Sequence, residues 1–211
     1  MGTLADLKTR IINETNRDDL ADDMSDDLNT VIASAIDQFA AERWWFNEAR
    51  TINACVIGNA FLTIPTGARI IDAVYLIVGG VRYYMTRRQT SDIDELYSVP
   101  MTGQPTDYAV FGSNIYMWPT PNQAYGVLWE LITDVTPALD YSVGTSANNW
   151  TTEGADLIVA QSKIRLYRDY LSSSAQDPRI ELAVGQGQEA YSRLRAETNR
   201  RITTGRVQPT W

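Results

Sequence analysis

The chain of 211 residues has no histidine and only one cysteine, Cys55. The first absence removes the commonest general base, the imidazole metal ligand, and every Ser-His or Cys-His pair. The second excludes the usual zinc sites and any internal disulfide, which fits folding in a reducing cytoplasm. No apolar run reaches the roughly 18 residues of a membrane span, so no membrane partner is expected. The first residues, Met1-Gly2-Thr3-Leu4-Ala5-Asp6, lack a basic region leading into an apolar stretch, so no secretory signal is expected. Catalysis would fall to carboxylates, lysine or tyrosine. The sequence points to no enzyme and no cofactor.

Net charge is −8, which opposes a broad phosphate-binding face but not contact with DNA that slides past. The charge is uneven. Surplus acid gathers near the start, at Asp18, Asp19, Asp22, Asp23, Asp26 and Asp27, while Arg193, Arg195, Arg200, Arg201 and Arg206 make the end basic. Ends of opposite sign favour head-to-tail contacts between copies. Two unrelated solvated faces are the alternative.

Hydrophobic spacing gives the organisation. Thr3 can cap a first helix whose Leu4, Leu7 and Ile11 share one face. Ser25 can cap a second, with Leu28, Ile32, Ala35, Phe39 and Phe46 at helical steps, ending in Arg43-Trp44-Trp45-Phe46. The pattern then turns to period two. Residues 51–56 and 61–65 around Gly58-Asn59 predict a hairpin, and residues 69–78 and 81–86 around Gly79-Gly80 a second. Ser91 can cap a short helix over 92–97. Strands are expected at 108–111, 114–118 and 126–134.

Helical spacing returns after Thr151 or Thr152, with Leu157, Ala160, Ile164, Tyr167 and Leu171 on one seam. Asp177-Pro178 opens a last helix, where Ile180, Ala183, Gly187, Ala190 and Leu194 mark a face that permits close approach. The fold class is therefore α+β. A helical bundle from residues 1–48 and 150–200 carries an inserted antiparallel β module at 49–136, and 201–211 form an extended tail.

Candidate chemistry is thin. Counted from Asp18, the acidic run puts Asp23 and Asn29 where a calcium loop needs glycine and glutamate, so no metal site is expected. Gly185-Gln186-Gly187 follows a helix start rather than a strand, and Ala190 replaces the third glycine of a dinucleotide fingerprint. Trp44, Trp45 and Phe46 lack a basic groove and are expected in the core. Arg82, Arg87 and Arg88 flank Tyr83 and Tyr84, a patch that suits a contact with another subunit or a tail protein. Asp92, Asp94 and Glu95 follow and can neutralise it. The aperiodic end closes on Trp211, an anchor suited to a partner's pocket. Folding back on its own domain is the alternative.

Three stretches carry a family resemblance: Ala40-Ala41-Glu42-Arg43-Trp44-Trp45-Phe46-Asn47-Glu48; residues 103–112 with Ile115-Tyr116-Met117-Trp118-Pro119-Thr120-Pro121 and Tyr125; and Asn149-Trp150-Thr151 through Arg165-Leu166-Tyr167-Arg168-Asp169. In pattern and order they resemble the head-to-tail adaptor proteins of short-tailed phages. That resemblance implies a virion structural protein assembled in the host cytoplasm and placed at the head–tail interface. It implies a homo-oligomeric ring, dodecameric in the family, beneath the portal protein. It also implies tail or nozzle proteins as partners, and DNA passing through the channel without specific binding. Family members resemble one another in an extended C-terminus that reaches the portal, so Arg206, Val207 and Trp211 are the expected portal-binding residues. A tail-tube or nozzle subunit is the nearest alternative. A carboxylate-based cell-wall hydrolase is another; it would need two carboxylates about 5–10 Å apart, and Glu42 and Glu48 are the candidates.

Overall fold

Thr3 starts the first helix with a capping box, its hydroxyl accepting from the Asp6 amide while the Asp6 carboxylate accepts from the Thr3 amide. The computed structural model describes residues 2–17, 20, 25–96, 101–170 and 177–203. Helix α1 (Leu4–Thr15) buries Leu4, Leu7 and Ile11 on the expected face. It stops at Asn16, which adopts the left-handed conformation (φ 51°, ψ 49°) that asparagine tolerates.

Helix α2 (Ser25–Ala40) buries Leu28, Ile32, Ala35 and Phe39. The expected continuation through Phe46 is wrong: the chain turns after Ala40. Asn47, 1% exposed, causes the stop. Its amide nitrogen donates to the carbonyls of Glu42 (2.8 Å) and Ala40 (3.3 Å), and its amide oxygen accepts from the Trp44 amide (2.8 Å). The last carbonyls of a helix need such partners when they are buried. Leaving the helix lets Trp44 enter the core instead of following the helical face.

The chain divides into two units, one of residues 1–47 with 135–211 and one of residues 48–134. In the first, α1 and α2 are joined by α4 (Asn149–Thr152), α5 (Ala155–Arg165) with a π-helical continuation (Leu166–Tyr170), and α6 (Pro178–Thr203). Helix α5 packs against α1, α2 and α6. Its seam of Leu157, Ala160, Ile164 and Tyr167 is buried; Leu171 lies outside the described residues. The single helix expected from Thr151 or Thr152 is instead two. Asn148 caps α4, and Gly154 separates it from α5. A Cβ on Gly154 would stand 2.8 Å from Trp150 Cε3, so glycine is what lets the chain pass the buried indole.

Asp177 accepts from the Arg179 amide (2.8 Å) at the start of α6, with Pro178 as its first residue. Ile180, Ala183, Ala190 and Leu194 are buried as expected. Helix α6 runs to Thr203, so three residues assigned to the tail, Arg201, Ile202 and Thr203, are helical.

The second unit holds two four-stranded sheets, in the orders β1-β10-β3-β4 and β2-β8-β7-β5. The first uses β1 (Glu48–Ala54), β10 (Gly126–Thr133), β3 (Ala68–Val78) and β4 (Val81–Tyr84). The second uses β2 (Phe61–Thr63), β8 (Asn114–Trp118), β7 (Asp107–Phe111) and β5 (Thr86–Arg87). A short parallel pair, β6 (Thr102–Gly103) and β9 (Thr120–Pro121), accompanies them. Val74, Leu76, Val127, Trp129 and Leu131 of the first sheet share a buried core with Tyr108, Ile115 and Met117 of the second. Each such side chain contributes roughly 1.5–3 kcal/mol over exposure. Helix α3 (Thr90–Leu96) sets Ile93 against Ala109 and Trp118.

The hairpin around Gly79-Gly80 forms as expected, and the strands expected at 108–111 and 114–118 pair across Gly112-Ser113. The hairpin expected around Gly58-Asn59 does not. Its strands enter different sheets, β1 pairing with β10 and β2 with β8. Alternation marks both segments as strands but is silent about partners more than fifty residues away.

Candidate functional site

The aromatic run leaving α2 becomes the centre of the helical unit. Trp44 is fully buried, its Nε1 donating to the Phe39 carbonyl (2.9 Å). Trp150 and Tyr191 meet it edge-on at 6.3 and 5.6 Å. Arg195 lies over its ring at 5.4 Å and Arg201 over Trp45 at 3.8 Å. This is a core, as expected, and not a base-stacking platform.

The basic residues near the end are also engaged at home. Arg193 pairs with Asp156, Arg195 donates to the Arg43 carbonyl (2.9 Å), and Arg200 and Arg201 pair with Glu197 at 2.8 and 2.5 Å. Those two hydrogen bonds hold the Glu197 carboxyl down to about 2. These contacts engage the arginines without cancelling their charge: Arg200 and Arg201 share Glu197, Arg193 shares Asp156 with Arg10, and Arg195 meets a neutral carbonyl. The acidic residues Asp18, Asp19, Asp22 and Asp23 lie outside the described residues.

A cleft of about 180 Å³ between α1, α5 and α6 holds a charged network that no sequence motif marks. Lys163, 5% exposed, donates to Glu14 Oε2 (2.5 Å) and to Gln186 Oε1 (2.6 Å). Glu14 also accepts from Arg10 Nε (2.6 Å), whose Nη1 reaches Asp156 (2.5 Å). Burial pushes the Glu14 carboxyl up, but the hydrogen bonds from Lys163 and Arg10 outweigh it and leave it lowered. The charges of Lys163, Glu14, Arg10 and Asp156 are paired with one another, so the network ties three helices together. The signal that could have found it is Lys163 itself, a charged residue one step from Ile164 of the buried seam.

In the second unit the arginine patch separates into distinct environments. Arg82 stands exposed on β4 and Arg87 exposed on β5. Arg88 pairs with Asp107 (2.8 Å), whose side chain is 9% exposed and also accepts from the Thr106 hydroxyl (2.6 Å). That pair sits beside the parallel β5–β7 ladder. Asp107, not Asp92, Asp94 or Glu95, is the partner of Arg88 in the structure. Gly185 and Gly187 fall inside α6, far from any strand-to-helix turn. A Cβ on Gly187 would meet Ala160 Cβ at 3.6 Å, while one on Gly185 would meet nothing.

The two carboxylates considered for hydrolysis fall in separate units. Glu42 accepts from the Tyr191 hydroxyl (2.8 Å), and Glu48 opens β1. No cluster of three or more histidine, cysteine, aspartate or glutamate side chains fit to hold a metal occurs among the described residues. No helix among them is long and apolar enough to cross a membrane. Arg206, Val207 and Trp211 lie outside the described residues.

What remains is surface made for contact. The outer face of the first sheet carries a row in one register, Ile52–Leu128–Tyr75–Tyr84, running from edge to edge. Its two ends, Ile52 and Tyr84, are each 60% exposed. Leu128 between them is only 4% exposed.

A comparison with curated proteins finds no match. The family model described as SU10 adaptor protein matches residues 2–210. A match over nearly the whole chain places this α+β protein in the SU10 adaptor protein family, a family of structural, non-enzymatic phage proteins.

Proposed function

We propose that the chain is a head-to-tail adaptor of the virion, forming a ring beneath the portal protein and offering a platform to tail or nozzle proteins. The family match across residues 2–210 carries this reading. The ring surrounds the channel through which DNA leaves, and the copy number expected is that of a dodecamer. The net charge of −8 supports a wall that repels the phosphate backbone and does not retain it. Arg206, Val207 and Trp211 are proposed to enter the portal, the tryptophan as an apolar anchor. Arg82, Arg87 and Arg88 are proposed for contacts with a neighbouring subunit or a tail protein.

The test is to mix the purified chain with the portal protein of the same virus and to measure the mass of the complex. A portal carrying a closed ring of this chain is the expected result. Binding to tail-tube protein but not to portal would overturn the adaptor role. A variant lacking residues 202–211 is expected to lose portal binding, and full binding by that variant would sink the tail assignment.

A further inference from the structure

Among the described residues, the first sheet of the β unit ends on two strands that lack a partner on one side, β1 and β4. Strand β4 is exposed at all four positions, with Val81 at 54%, Tyr83 at 46% and Tyr84 at 60%. An edge guarded against pairing is kept short and furnished with charge or proline. Strand β4 is short, but it has no proline, one charge (Arg82) and three apolar or aromatic residues. Strand β1 is longer and carries Ile52 at 60% exposure.

The backbone polarity of the two edges matches. The Met85 amide donates to the Val74 carbonyl (2.9 Å), so this opposed pair is hydrogen-bonded. Bonded and non-bonded pairs alternate in an antiparallel ladder, so Tyr84 and Arg82 turn their own N–H and C=O away from β3. By the same alternation, the bond from the Cys55 amide to the Tyr125 carbonyl (3.0 Å) makes Ala54, Ile52, Arg50 and Glu48 the outward-directed residues of β1.

Strand direction matches as well. Each neighbouring pair in the sheet is antiparallel, so across four strands β1 and β4 run in opposite senses. A second copy set alongside in the same orientation therefore brings its β1 antiparallel to β4. Such a contact is head-to-tail and repeats, as a ring requires.

We infer that β4 of one copy pairs antiparallel with β1 of the next, with Tyr84 opposite Ile52 and Arg82 opposite Ala54. This deepens the ring proposed above and rests on it. Shifting by one residue would set inward-directed backbone against outward-directed, which breaks the ladder. Shifting by two residues in one direction sets Tyr84 against Ala54 and carries Arg82 past the end of β1, opposite Val56. In the other sense it sets Tyr84 against Arg50, which is already paired with Glu130 at 2.8 Å, and leaves Ile52 beside Arg82. The chosen register joins the exposed ends of the apolar row, so that Ile52–Leu128–Tyr75–Tyr84 continues from copy to copy.

The test is disulfide trapping in the full chain, alone and with portal protein. Opposed residues of a bonded antiparallel pair stand about 5.5 Å apart at Cα, within disulfide reach. On mild oxidation Ile52→Cys/Tyr84→Cys is expected to give a ladder of covalent multimers on a non-reducing gel, and neither single variant any. Cys55, 2% exposed, is common to all variants and so is controlled by the singles. Ile52→Cys/Tyr83→Cys, whose second residue turns to the other face, is expected to give none. Native mass spectrometry separates the failures. Oligomers without a ladder, an equal ladder from the Tyr83 pair, or a covalent dimer from Tyr84→Cys alone would overturn the strand pairing and leave the ring standing. A chain that stays monomeric under every condition would overturn both.

Discussion

The ion pair between Lys163 and Glu14 has two ends in unequal surroundings, and the inequality predicts unequal losses. Lys163 is 5% exposed, whereas the Glu14 side chain is 32% exposed. Glu14→Ala leaves an ammonium group almost out of water with one amide oxygen, that of Gln186 at 2.6 Å. Removing one partner of a fully buried pair costs about 3–5 kcal/mol. Water reaching through the open Glu14 side lowers that here to ~2–3 kcal/mol. Lys163→Met keeps the length of the stem and its packing. It leaves Glu14 with Arg10 at 2.6 Å and with solvent, for a cost of about 1 kcal/mol. Combining the two changes removes the stranded ammonium, so the double variant should be more stable than Glu14→Ala alone. Urea unfolding at pH 7 followed by ellipticity at the helical band reads all three. The reasoning is refuted if Lys163→Met loses as much as Glu14→Ala, or if the double variant is the least stable of the set.

Further expectations follow from single contacts. Trp44→Ala should lose about 3–5 kcal/mol by opening the aromatic core, and Trp44→Phe about 1–2 kcal/mol by leaving the Phe39 carbonyl without its donor; both are checked by thermal melts. Gly185→Ala should gain about 0.5–1 kcal/mol, since it adds helix propensity into open space. Gly154→Ala should lose about 1–3 kcal/mol against Trp150, and equal behaviour of the two glycines in the same melts would contradict the packing described. The lowered Glu14 carboxyl contributes stability above its ordinary value of 4.5 and loses it as pH falls through the folded value. Glu14→Gln should therefore flatten the acid limb of a stability-versus-pH series, and an unchanged limb would count against the pair.

Much of the fold can be read from the chain because its causes are local. Helical spacing marks the buried faces of α1, α2, α5 and α6, and the glycine pair at 79–80 marks a hairpin whose strands touch at once. The α+β class follows from those periods alone. The errors share one cause, which is distance along the chain. The helix through Phe46 looks plausible until Asn47 folds back to take the Ala40 carbonyl, a contact that depends on where the buried Trp44 must go. Residues 51–54 and 61–63 are strands in either reading. Only the packing of two sheets decides that β1 joins β10 and β2 joins β8.

The functional reading divides in the same way. The three resembling stretches pointed to a structural phage protein, which the family match over residues 2–210 bears out, while the missing histidine and the lone cysteine removed only the commonest catalytic and zinc-binding arrangements. Tertiary structure decided which charges are engaged and which surface is open. The basic residues of α6 are paired within their own unit, and Lys163 is held inside a network no motif announces. The apolar row from Ile52 to Tyr84 comes from four strands spread over residues 48–133. Periodicity sets which way a side chain turns; only the pairing of distant strands sets what lies beside it.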